Sequence, residues 1–192
     1  MQPIVLGSSS VFRRQLLEKL LEQFDTCSPD IDESPLPGED PAQLVQRLAL
    51  QKAEAVAKAH PDALIIASDQ VSVLDGRING KPGNYENAFR QLKSSSGKQV
   101  SFFTSLCLYD ATTAKYQLDV EPFQVYFRKL SDAQIERYLK KETPYNCAGG
   151  FKSEGFGITL FSRLEGRDPN TLIGLPLIRL VEMLAATGVQ LP

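Results

Sequence analysis

At 192 residues the chain is long enough for one generous domain or two small lobes with a sizeable core. Its 42% hydrophobic content and formal charge of -2 exclude a disordered or fibrous protein. With 21 Lys+Arg against 23 Asp+Glu it has no basic excess for duplex binding, so no nucleic-acid partner is expected and any anion is held by local clusters.

Three cysteines, Cys27, Cys107 and Cys147, are odd in number, far apart and unsuited to zinc spacing, which points to a reduced compartment. No apolar run approaches the ~20 residues of a membrane span. Met1 leads directly into the strand-like PIVLGS, so the expectation is a cytoplasmic protein with no membrane partner. His60 is the single histidine, which removes histidine triads and multi-histidine metal sites and leaves carboxylates to hold any metal.

In chain order, the opening strand runs into LGSSSVFRR, a small-residue turn followed by two arginines at the start of a helix. Phe12, Leu16, Leu17, Leu20 and Leu21 recur at helical spacing and predict that helix to extend through Leu21. Residues 26 to 40, rich in Asp, Glu, Ser and Pro, read as a loop. Asp40 and Pro41 then start a helix whose Leu44, Val45, Leu48, Ala49, Ala53 and Val56 share a face, with Lys52 beside it and solvated by default. ALIIAS, residues 63 to 68, is a buried strand ending at Asp69.

VSVLDGRINGKP predicts an extended segment, a turn at Asp75-Gly76 and a second at Asn79-Gly80 before Lys81. A helix is expected from Tyr85 to Leu92, where Tyr85 and Phe89 lie one turn apart and read as core. Strands follow at 99 to 108 and 115 to 128, then a helix capped by Ser131 and Gln134. CAGGFKSEGFG, residues 147 to 157, is a glycine-rich loop, ITLF a strand, and TLIGLPLIRLVEMLAA one helix with Pro176 in its early turns. The fold class is α/β with a mixed sheet, in a single domain covering residues 1 to 192.

The chemistry is sought where hydroxyls, amides and guanidiniums gather. Ser8, Ser9, Ser10, Arg13 and Arg14 suit the oxygens of a phosphate chain, although a plain turn before a solvated helix has the same spacing. Asp69, at the end of a buried strand, must be paired, bound to metal or part of a site to offset its desolvation. Glu33 offers a second carboxylate for a Mg²⁺-like ion. Lys52 and Lys81 could add positive charge, and Glu154 stands in the glycine-rich loop where a ligand could approach.

In order, LGSSSVFRRQLLEKL, IDES, RLALQKAEAVA, IIASDQV, GKP, CAGGFKSEGFG and GLPL resemble the Maf family of nucleoside triphosphate pyrophosphatases over nearly the whole chain. The resemblance implies an elongated mixed sheet flanked by helices, in two lobes with a central cleft. It implies hydrolysis between the α- and β-phosphates with a divalent metal, Mg²⁺ or Mn²⁺, and leaves a homodimer open. By position, Asp69 takes the place of the catalytic proton acceptor; Ser8, Arg13, Glu33, Lys52 and Lys81 fall at phosphate and metal positions, with Arg14 adjacent. The commonest Maf pattern has Ser-Pro-Arg-Arg, Asp-Thr and a later glutamine, whereas this chain has Phe12, Gln70 and Glu154 at the changed positions. That combination resembles the subgroup acting on 7-methyl-GTP rather than on dTTP and UTP. A nucleotidyltransferase and a non-catalytic nucleotide sensor are the rival readings.

Overall fold

The computed structural model describes residues 2–191. It contains one mixed eight-stranded sheet in the order β2-β1-β3-β6-β4-β5, with β7 paired to β6 and β8 to β7. The chain divides into two compact units. The first holds the residues up to Asp69, Thr104–Glu121 and Asp168 onward; the second holds Gln70–Phe103 and Pro122–Arg167.

In the first unit, β1 (Ile4–Gly7) lies parallel to β2 (Asp25–Thr26) and β3 (Leu64–Ala67), and β3 runs antiparallel to the end of β6 (Gln99–Asp110). Alternation along these strands sends Ile4, Leu6, Leu64, Ile66, Leu106 and Leu108 to one face. They pack there with Leu16 and Leu17 of α1 (Val11–Leu17) and Leu177, Leu180 and Leu184 of α6 (Leu177–Ala186). Val5, Ile65, Ala67 and Cys107 face the other way, against Ala49, Ala53 and Val56 of α2 (Pro41–Ala57). Both faces are covered by helices, so the short strands can be apolar at every position.

In the second unit, β4 (Gln70–Leu74) and β5 (Arg77–Asn79) form a hairpin. Its turn residues Asp75 and Gly76 have φ of 50° and 75°, the left-handed pair that a tight twisted hairpin demands. The helices are α3 (Tyr85–Ser95) and α4 (Asp132–Glu142), and β7 (Lys115–Phe127) pairs antiparallel with β8 (Phe161–Glu165). Phe102, Phe127, Phe151 and Phe161 meet edge to face at centroid distances of 4.8 to 5.7 Å, the arrangement that ring quadrupoles favour.

Several expectations are corrected. Helix α1 stops at Leu17, and Leu20 and Leu21 reach the core from turns beyond it. The acidic loop opens on the two-residue β2. The expected turn at Asn79-Gly80 is not formed: Asn79 ends β5, and the left-handed glycine near Lys81 is Gly83. Ile158, Thr159 and Leu160 lie in a 3₁₀ turn, and the strand begins only at Phe161. The C-terminal segment is two helices, α5 (Pro169–Ile173) and α6, because Gly174 takes φ 133° and Pro176 has no N–H to continue the ladder. That break leaves the Gly174 carbonyl available to side chains.

Candidate active site

The two carboxylates and one lysine marked by the sequence meet in the first unit. Lys52 Nζ stands 2.5 Å from Asp69 Oδ1 and 2.8 Å from Glu33 Oε1. Lys52 is only 6% exposed and Asp69 7%, so the expected solvated lysine is instead an ammonium buried under its partners. Helical spacing places Lys52 between the apolar Leu48 and Val56, and an ammonium at such a position stays charged only with acceptors at hand.

Asp69 is held by its backbone. Its N–H donates to Ser105 Oγ at 3.0 Å, its carbonyl accepts from the Ser105 N–H at 2.9 Å, and Ser105 Oγ donates to Val45 O at 2.6 Å. A polar pair, Thr104 and Ser105, in the otherwise apolar SFFTSLCL strand was the available sign of this anchor.

Arg13 donates from Nε to Gly174 O at 2.8 Å and from Nη1 to Ser8 Oγ at 3.4 Å; Ser68 Oγ donates to the same Gly174 carbonyl at 3.0 Å. Burial pulls the Arg13 guanidinium below its ordinary value, while the charges of Asp69 and Glu33 push it back up. It remains cationic, as arginine does in proteins. Ser10 caps α1 by accepting from the Arg13 N–H, and Ser8 accepts from the Ser10 N–H, so each hydroxyl keeps its own proton for a ligand. Phe12 is half-buried on the first turn, one residue before Arg13. Arg14 is exposed and bonded to Glu18 at 3.0 Å.

Glu33 is exposed, but the loop that carries it is fixed. Ser34 N–H donates to Asp32 Oδ1, and Arg47 of α2 donates to Ser34 O at 3.0 Å while gripping both Glu39 oxygens at 2.6 and 2.8 Å. Sequence reasoning missed Arg47, which lies off the apolar face of α2. The Arg47 bonds hold the Glu39 carboxyl down at about 2, against an ordinary 4.5. A depressed carboxyl contributes stability above its unfolded value that is lost as pH falls from about 4.5 toward about 2. In Arg47→Met, Glu39 is therefore expected to titrate near its ordinary value, and acid unfolding to begin at higher pH. A ¹³C NMR titration of Glu39 reads the change, and an unmoved curve removes Arg47 as the cause.

The remaining predicted positions lie in the second unit. Gln70 opens β4 and is partly buried. Lys81 is exposed at the rim of a cavity of about 330 Å³ that it shares with Asn79, Asn87 and Arg90. Glu154 is exposed on a turn of the glycine-rich loop. A larger cavity in the first unit, about 710 Å³, is lined by three carboxylates, Asp30, Asp32 and Glu54, and one lysine, Lys58.

Two carboxylates converging on one cation fit a hard divalent ion, which takes one or two carboxylates and completes its shell with phosphate oxygens and water. Among the described residues no group of three or more His, Cys, Asp and Glu is gathered, so a purely protein-made metal cage is absent.

The sequence matches the Maf family, described as Maf-like protein, over residues 3–187. The chain belongs to the Maf family. A curated Maf relative named "7-methyl-GTP pyrophosphatase", from Alcanivorax borkumensis, is 59% identical over 189 residues, covering 98% of this chain and 96% of that protein. The mixed sheet and flanking helices agree with the Maf resemblance read from the sequence. Among the described residues no helix is long and apolar enough to cross a membrane.

Proposed function

We propose that this Maf protein is a nucleoside triphosphate pyrophosphatase that converts 7-methyl-GTP and water to 7-methyl-GMP and pyrophosphate, clearing a non-standard nucleotide. The observation that carries this reading is the 59% identity, over nearly the full length of both chains, to a relative bearing that name. The Asp69–Lys52–Glu33 group, with Asp69 and Lys52 buried, supports it, because cleavage of a phosphoanhydride needs a base beside fixed positive charge. Three free cysteines support a cytoplasmic setting.

In this reading Asp69 takes the proton of the attacking water. Arg13, Lys52 and Lys81 bind the phosphates and stabilise the charge that collects on departing pyrophosphate, with Ser8 donating to a phosphate oxygen and Arg14 adding peripheral positive charge. Asp69 and Glu33 would hold the divalent metal, Mg²⁺ or Mn²⁺. When bound it would neutralise phosphate charge and polarise the scissile linkage. Phe12, Gln70 and Glu154 select the base.

A panel of methylated and unmethylated triphosphates, assayed for pyrophosphate with and without Mg²⁺, tests the proposal. The expected result is equal release of 7-methyl-GMP and pyrophosphate from 7-methyl-GTP, faster than any turnover of GTP, UTP or dTTP. Preference for UTP or dTTP would move the protein to the pyrimidine-specific reading. Tight nucleotide binding without any monophosphate would make it a sensor.

A further inference from the structure

The glycine-rich loop that carries Glu154 is pinned by α4 on both sides of that residue. The Lys152 N–H donates to Tyr138 Oη at 2.9 Å, and the Phe156 N–H donates to Glu142 Oε1 at 2.7 Å. Lys152 Nζ returns to α4 by donating to Glu142 O at 3.0 Å. Between these anchors, Lys152 O accepts from the N–H groups of Gly155 and Gly157 at 3.3 and 3.1 Å, closing a tight loop with Ser153 and Glu154 on its turn.

The closure demands glycine at Gly157, where a Cβ would sit 2.2 Å from the backbone oxygen of Lys152; one on Gly155 would meet the movable end of Glu142, 2.7 Å from Oε1. Phe156 stacks on Tyr138 with centroids 6.4 Å apart, and Lys141 Nζ lies over the Phe156 ring, 3.9 Å from its centroid. Tyr138 is 1% exposed, and burial raises its hydroxyl well above the ordinary value, so it stays a neutral acceptor for the Lys152 amide.

We infer that Tyr138 and Glu142 are positioning residues for substrate selection, fixing the loop so that the Glu154 carboxylate meets the base at a set distance. The inference rests on the specificity role proposed above for Glu154. A carboxylate distinguishes a cationic base from its neutral parent through interactions that fall off with distance, so a carboxylate on a loose loop loses that distinction before it loses binding. Neither α4 residue needs to touch substrate.

The test is the ratio of kcat/KM for 7-methyl-GTP to that for GTP in Glu142→Ala, Glu142→Gln, Tyr138→Phe and Glu154→Gln, with hydrogen exchange at the Lys152 and Phe156 amides. Glu142→Ala is expected to lower the ratio on the order of tenfold and to speed exchange at Phe156. Tyr138→Phe does the same at Lys152. Glu142→Gln keeps an acceptor for the Phe156 amide and restores most of the ratio, although it removes the same charge as alanine. If both substrates decline together in Glu142→Ala, or exchange is unchanged, the positioning role is overturned. An unchanged ratio in Glu154→Gln overturns the selection role of Glu154 itself, and the α4 inference with it.

Discussion

Asp69→Asn is expected to leave a folded protein whose kcat for 7-methyl-GTP is lower by about three orders of magnitude, with KM changed far less. The magnitude follows from removing a positioned general base, worth roughly 10²–10⁴-fold. Asparagine is nearly isosteric and keeps both backbone bonds to Ser105, so the end of β3 stays in place. Breaking a buried ion pair outright costs about 3–5 kcal/mol, because it strands a charge. Here the loss is smaller, since the Lys52 ammonium retains Glu33 at 2.8 Å, and Glu33 is 55% exposed and reaches solvent. Single-turnover release of pyrophosphate, read beside a thermal melt, separates the two effects. A folded variant within about tenfold of the parent would take Asp69 out of the chemistry.

How much of this was readable beforehand depended on how local the determinants were. The β3 strand, the Asp40 and Ser131 caps and the Asp75-Gly76 hairpin turn each follow from a few adjacent residues, and each is found in its expected place. The C-terminal helix was misread because periodicity runs straight through GLPL, while the backbone breaks at Gly174. That break is what supplies the carbonyl shared by Arg13 and Ser68. ITLF has strand composition, yet closure of the preceding loop holds its first residues in a 3₁₀ turn.

At the site, Asp69 was legible because a charge at the end of an apolar strand needs a partner. Which partner was not, since Lys52 lies 17 residues away on a helix and its burial depends on that helix packing against the sheet. Arg47 was invisible for a related reason: its hydrogen bonds go to a loop carbonyl and to Glu39, and no residue pattern records a backbone acceptor. The Maf resemblance places Glu33 and Lys52 in one site with Asp69, and in the structure Lys52 bonds both carboxylates.

Replacing Phe12, Gln70 and Glu154 together by Arg, Thr and Gln is expected to turn the preference from 7-methyl-GTP toward UTP and dTTP, changing the ratio of their kcat/KM values by about 30- to 700-fold. Methylation at N7 makes the guanine ring cationic, and a cation over an aromatic face gains ~0.5–2 kcal/mol that neutral bases lack. A charge-assisted contact from a carboxylate adds about 1.5–3 kcal/mol. Removing both, and placing a guanidinium where the ring was, costs the methylated nucleotide roughly 2–4 kcal/mol, and each 1.4 kcal/mol is a factor of ten. Uncharged pyrimidines suffer no such loss, so the shift should come more from the fall of 7-methyl-GTP than from any gain by UTP. Phe12→Leu alone isolates the ring: it keeps apolar surface, and should weaken 7-methyl-GTP about tenfold while leaving GTP nearly unchanged. Competition assays with paired substrates measure both ratios directly. If the triple variant kept its preference for the methylated base, selection would have to arise from groups other than these three, and the cationic character of the base would not be what the protein reads.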